Sequence, residues 1–417
     1  MAQAYSSRTL RHSGPVGRHR GALSRLVVIA VVAAVAFTVG FILLWSLGSW
    51  IVGGAGFPWR SAKGAAVVTH VEISSPPDYT VQPLMDLSAL RDLSYVAVKG
   101  VYTSYASTPG SKMFTSLLNL ADTTEINAFV TDVKDDRGKI TYEANVPLAK
   151  QLGLLTHSIK DVDAYLATLA QHHIIPIARV VCFKDASLAK ARPDLAIQSQ
   201  DGGLWADFKG LNYTNPYNHE VWEYIVEVAE DAARHGFREI QFDYVRFPTD
   251  GPISKAVYPG QYCSKVDAIA GFLAFAHQRL EKLGVWVSAD VFGIVIQNTS
   301  DAILKLGQQI DKVAANVDVV SPMVYPSHYS AGSYNIDNPN ASPYELITAA
   351  MKETAKRLAG TGAMGRPWLQ DFSLGVPYGV QQVKAQIKAA EEQGFNEWIL
   401  WDPALTYTEG ALRSQCG

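Results

Sequence analysis

The sequence predicts an α/β fold, a (β/α)8 TIM barrel preceded by a single N-terminal transmembrane helix and a linker. Three observations carry that reading. Eight strand-like runs alternate with helical segments, polar residues gather where those runs end, and one long uncharged stretch stands ahead of the first run. The runs are "YVAVKGVY" (95–102), "NAFVTDVKD" (127–135), "IIPIARVVCF" (174–183), "EIQFDYVRF" (239–247), "VWVSADVFG" (285–293), "VDVVSPMVY" (317–325), "PWLQDF" (367–372) and "EWILWDP" (397–403). A doubly wound open sheet is the runner-up, and it usually needs fewer strands. The runs share rhythm without sharing sequence, which excludes a solenoid.

The helices between the runs carry their own start and stop signals. "HEVWEYIVEVAEDAARHG" repeats apolar groups at Val221, Ile225, Val228 and Ala232, with Gly236 placed to end the helix. "SPYELITAAMKETAKRLAG" offers Ser342 as N-cap, Pro343 in the first turn, Glu345 to close a capping box and Gly360 beyond the last turn. A helix feeding straight into the next strand is the repeat unit of a barrel.

Residues 1–25 form a basic tail with Arg8, Arg11, Arg18, Arg20 and Arg25 and no acidic residue. From Leu26 to Pro58 no residue is charged, and residues 26–52 exceed the ~20 apolar residues that cross a bilayer. The run is too long for the ~7–15-residue apolar region of a cleaved signal peptide. The five arginines outweigh Arg60 and Lys63 on the far side, so the expectation is a single-pass type II protein of the cell membrane with its bulk outside the cytoplasm. Residues 53–91, rich in Gly, Pro and Ser, read as a linker, and residues 92–417 as the barrel. The chain carries −3 overall, so without the five tail arginines it carries −8, which disfavours nucleic acid as a partner.

Function in a barrel lies at the C-terminal ends of the strands. Asp132 and Lys134 end the second run, Arg179 lies in the third, Asp243 and Arg246 in the fourth and Asp290 in the fifth. Tyr325 ends the sixth and His328 follows it, Gln370 lies in the seventh and Trp401 in the eighth. Alternation places Val285, Val287 and Ala289 under the helices, leaving Trp286, Ser288 and Asp290 toward the barrel axis; by the same parity Gln370, not Asp371, points inward. Asp243 and Asp290 on adjacent strands are the residue types glycosidic cleavage needs: one carboxyl protonates the leaving oxygen, the other attacks the anomeric carbon or activates water. Asp132, Lys134, Arg179, Arg246, Tyr325, His328, Gln370 and Trp401 are the expected substrate-binding residues. Tyr102, Phe183, Trp205, Tyr213, Tyr217, Phe292, Trp368 and Trp401 are candidate platforms for sugar rings.

"FVTDVKDDRGKI", "IARVVCFKD", "IQFDYVRFPTDG", "SADVFG" and "SPMVYPSHY", over about residues 94–405, resemble the bacterial putative glycosyl hydrolase domain family, itself similar to α-amylase-type barrels. The resemblance implies a barrel acting on a polysaccharide or oligosaccharide, with Asp243 in the position of the nucleophile and Asp290 in that of the acid. The fifth strand offers aspartate where amylase-type enzymes have glutamate, one methylene longer. A catalytically inactive, glycan-binding or envelope-scaffold barrel is the alternative.

No histidine pair has zinc spacing, and nothing in the sequence calls for a metal or cofactor. "GTGAMG" (360–365) follows a helix and precedes a strand, the reverse of a dinucleotide site. "SLAK" (187–190) lacks the K-T-G partner of penicillin-recognising enzymes. Cys182 falls on the helix-facing parity as a buried thiol, and the sequence leaves open whether Cys263 and Cys416 are bridged.

Overall fold

The computed structural model describes residues 95–105, 108–297 and 299–415. The basic tail, the expected membrane span and the linker lie outside the described residues, as does Cys416. No helix among the described residues is long and apolar enough to cross a membrane.

Eight parallel strands close a barrel: β1 (Lys99–Tyr102), β2 (Ala128–Lys134), β3 (Ile175–Val181), β4 (Glu239–Asp243), β5 (Trp286–Phe292), β6 (Val319–Met323), β7 (Trp368–Gln370) and β8 (Trp398–Trp401). They pair in chain order, β8 returns to β1 with Ile399 opposite Gly100, and Trp368 opposite Met323 links β6 to β7. That closure excludes the open sheet. A two-residue antiparallel pairing, Gln198–Ser199 with Ala256–Val257, ties the loop after β3 to the loop after β4.

Alternation sorts the side chains into two cores. Ile240, Phe242, Val285, Val287 and Ala289 join the layer between sheet and helices, with Val221, Ile225, Val228 and Ala232 from helix His219–His235. Gly236 ends that helix at φ +116, a left-handed conformation that glycine adopts without a Cβ clash. Inside the barrel, Val98, Val130, Ile177 and Ile399 form a smaller apolar layer. Below it, Arg366 reaches both oxygens of Glu239 at 2.7 and 2.8 Å and Glu397 at 2.8 Å, while Ser288 donates to Glu239. The barrel floor is therefore an ion-paired plug.

One expected cap does not form. Ser342 makes no side-chain hydrogen bond to helix Pro343–Leu358. A preceding 3-10 turn, Pro339–Ala341, holds the Ser342 backbone through Pro339, and Asn338 caps that turn instead. Pro343 still opens the helix, as its fixed φ favours.

Candidate functional site

The C-terminal rim is organised around Arg179, which rises from β3 and is almost wholly buried. Its Nε and Nη2 donate to Oδ2 of Asp243 at 2.9 and 2.5 Å, Nη1 to Oδ1 of Asp132 at 2.5 Å, and Nη2 also to Asp136 at 3.0 Å. Oδ2 of Asp132 accepts from the Tyr102 hydroxyl. One guanidinium thus fixes three carboxylates from β2, its following loop and β4, a geometry that a flexible ammonium does not reproduce. Burial alone would weaken the Arg179 charge, but Asp243, Asp132 and Asp136 together hold it well above the usual arginine range.

The two oxygens of Asp243 are not equivalent. Oδ2 takes both Arg179 bonds, while Oδ1 accepts only the Tyr244 N–H, at 2.6 Å. Tyr244 sits at φ +50, a left-handed conformation unusual for an aromatic residue. That turn ends β4 at Asp243 and sets its carboxyl at the strand tip. Oδ1 is therefore the oxygen left for a reacting group.

Asp290 on the neighbouring strand is in a different environment. It is 1% exposed, and its Oδ1 accepts from Gln241 Nε2 and Trp368 Nε1, both at 2.7 Å. Among the described residues, Oδ2 has no hydrogen-bond partner. Burial, then the charge of Asp243, pushes the Asp290 carboxyl well above the usual carboxylate range; the Trp368 and Gln241 donors and Arg179 offset only part of this. That environment favours the protonated form of Asp290. Two carboxyls on adjacent strands, one bound by a guanidinium and one in surroundings that favour a proton, are the arrangement that separates an acid from a base or nucleophile.

Other expected site residues fall into two groups. Trp401 packs on Tyr102 with ring centroids 4.2 Å apart and stands at the rim, and Tyr325 and His328 line a neighbouring cavity with Phe292 and Tyr244. Gln370 lies at the barrel interior, where its Oε1 accepts from Ser327 N and its Nε2 donates to Phe372 O. It positions the Tyr325–His328 loop. Asp371 points the other way and is bound by Thr408.

Lys134 departs from its expected place at the substrate. It is fully buried, its Nζ lying 2.8 Å from Asp185 and 2.7 Å from the Val181 carbonyl. The register of β2 on β3 slips between Asp132 and Lys134, so alternation breaks there and the lysine leaves the face that Asp132 occupies. Replacing Lys134 with Met should destabilise the fold by about 3–5 kcal/mol, because Asp185 would be left buried without its cation. Folded Lys134→Met protein should keep its KM, and denaturant unfolding beside steady-state kinetics checks both.

Four of the aromatic candidates are also scaffold. Phe183, Trp205, Tyr213 and Tyr217 are at most 3% exposed and pack within the cores. Cys182 is buried on the helix side, as parity predicts, and Cys263 is a free, part-buried thiol. The two donors to Asp290 are Gln241 and Trp368. Parity places both inward, Gln241 two positions before Asp243 and Trp368 two before Gln370, but no sequence pattern pairs either with Asp290. Among the described residues, no group of three or more His, Cys, Asp or Glu is placed to hold a metal ion.

No curated protein matches this chain. Among solved structures, a hypothetical protein from Ruminiclostridium thermocellum ATCC 27405 is 39% identical over 46% of this chain and 97% of its own, with a TM-score of 0.43. The PgaB (BpsB) glycoside hydrolase domain from Bordetella bronchiseptica is 11% identical over 76% of this chain and 99% of its own, with a TM-score of 0.55. A GH20 exo-β-N-acetylglucosaminidase from Vibrio harveyi, in complex with N-acetylglucosamine, is 16% identical over 76% of this chain and 54% of its own, with a TM-score of 0.50. At such identities the last two show a shared barrel fold. The family described as "Putative glycosyl hydrolase domain" matches residues 100–407, a span that runs from β1 past β8 and holds all the rim carboxyls, and the chain belongs to that family.

Proposed function

We propose that the chain is a membrane-anchored glycoside hydrolase that cleaves an extracellular or cell-wall polysaccharide with Asp243 and Asp290. The observation that carries this reading is the contrast between the two carboxyls. Asp243 receives two Arg179 hydrogen bonds on Oδ2, which leaves Oδ1 for a reacting group, while the environment of Asp290 favours its protonated form and its Oδ2 has no hydrogen-bond partner among the described residues. In the proposed reaction, Asp290 Oδ2 protonates the leaving glycosidic oxygen as the C–O bond breaks. Asp243 Oδ1 meets the anomeric carbon directly or activates a water that does so. Tyr102 and Trp401, their rings in contact at a tilt of 39°, supply an aromatic wall beside Arg179 for a sugar ring. The uncharged residues 26–52 and the arginine-rich tail support anchoring with the barrel outside the cytoplasm.

The test is to incubate the full-length chain with defined oligosaccharides and envelope polysaccharides and resolve the products by mass spectrometry. New reducing ends that depend on Asp243 support the reading. Binding without any product would instead support a glycan-binding barrel.

A further inference from the structure

Beside the carboxyl pair lies a cavity of about 440 Å³ between the loops that follow β5 and β6. Tyr244, the residue after Asp243, and Phe292, two residues after Asp290, both line it, so it adjoins the proposed reaction centre. Its walls are mainly aromatic and apolar, with Tyr325, His328 and Tyr329 opposite Ile294 and Met323. Two polar groups, Tyr329 in its wall and Arg246 packed against its lining residues Phe292 and Tyr244, lack the partners their burial calls for among the described residues. The Tyr329 hydroxyl is sealed from solvent and has no hydrogen-bond partner in the protein. Arg246, only 6% exposed, lays its guanidinium 4.3 Å from the Phe292 ring centroid and 4.9 Å from that of Tyr244.

Arg246 differs from every other buried guanidinium at the rim or floor. Arg179 binds three carboxylates and Arg366 two. The one protein hydrogen bond of Arg246 runs from Nη1 to the Phe247 carbonyl at 3.1 Å, and no carboxylate lies within 4 Å of it among the described residues. Its remaining N–H groups are not sealed off. Lys184 also lies near Tyr244, 4.3 Å from the ring centroid and donating to its hydroxyl at 3.1 Å, its nearest carboxylate (Asp136, already bound to Arg179) 3.9 Å away. A buried cation without a counter-charge is costly unless a ligand supplies one.

We propose that this cavity is a subsite for an acidic sugar, whose carboxylate accepts hydrogen bonds from Arg246 at the cavity's margin while its ring lies against the wall formed by Tyr325 and His328. The inference rests on the glycoside hydrolase reading for its place in a glycan chain and narrows the substrate to acidic glycans. A planar fork of N–H donors matches a carboxylate, and a single negative charge balances the one unmatched guanidinium, whereas a phosphate brings about −1.5 to −2.

Ligand-observed NMR titrations of the full-length chain with glucuronate, N-acetylmuramate and glucose 6-phosphate, beside glucose and N-acetylglucosamine, test this. The two carboxylated sugars should bind at least about tenfold tighter than their neutral counterparts. Arg246→Met should erase that preference, and Arg246→Lys, which keeps the charge and guards against loss of folding, should retain only part of it. Equal binding of charged and neutral sugars would overturn the proposal, as would a preference that survives in Arg246→Met or one confined to glucose 6-phosphate. Acidic-sugar preference without hydrolysis of any glycan would refute the hydrolase reading alone, and hydrolysis confined to neutral glycans would refute this one alone.

Discussion

Asp243→Asn should leave the barrel folded and lower turnover on the order of 10⁴-fold. The substitution changes charge and basicity while keeping shape, and an amide oxygen can still accept from Arg179. Arg179 keeps Asp132 and Asp136, so its charge is not stranded. What the variant lacks is a carboxylate oxygen able to attack or to take a proton at the Oδ1 position. Steady-state kinetics on any glycan the wild type cleaves, with Tm measured in parallel, separates the outcomes. Near-normal turnover by a well-folded variant would remove Asp243 from the chemistry, and collapse of the fold would make the Arg179 cluster a structural network.

Asp290→Asn is expected to lose about 10²–10⁴-fold in kcat on unactivated glycosides and much less on substrates with good leaving groups, which need little protonation. The wild-type rate should fall on the alkaline side as Asp290 loses its proton, and the variant should lack that limb. Stability should move the opposite way. The folded-state pKa of Asp290 is raised above its unfolded value, so its contribution is intact below roughly pH 4 and is lost as pH climbs toward the folded value, where a charge must be buried. Asparagine carries no such charge, and its Oδ1 can still accept from Gln241 and Trp368. The variant should therefore match wild type in acid and resist unfolding better at neutral and alkaline pH. A gain in stability coupled to a loss of rate is what a group buried for function, not for packing, produces.

Most of the barrel was legible because its strands follow period-two alternation and its helices carry their own stops. All eight predicted runs contain the observed strands, and the inward set Glu239, Gln241 and Asp243 follows from parity alone. Legibility ended where the backbone leaves regular geometry. The run through Phe247 reads as one strand, yet it stops at Asp243 because Tyr244 turns left-handed. The slip in β2 reversed the face of Lys134, which no alternation rule could foresee. Phe183, Trp205, Tyr213 and Tyr217 read as sugar platforms because they lie near strand ends in sequence. Whether a ring there faces solvent or a packed loop is decided by loops such as Gln198–Ser199 and Ala256–Val257, whose pairing is non-local. Trp368 was placed against Asp290 by barrel closure across 78 positions, a contact without local sequence signal.

The division of labour between Asp243 and Asp290 has a test that needs no substrate: carbon NMR of side-chain-labelled aspartate in the full-length chain at neutral pH, compared among wild type, Asp290→Asn and Asp243→Asn. Wild type should show a protonated aspartic acid signal that vanishes in Asp290→Asn. In Asp243→Asn the same signal should titrate at lower pH, because burial still raises it but the Asp243 charge, the other cause, is gone. An Asp290 that is already ionised in wild type at neutral pH, or whose titration ignores the loss of Asp243, would contradict the assignment of acid and base made from this geometry.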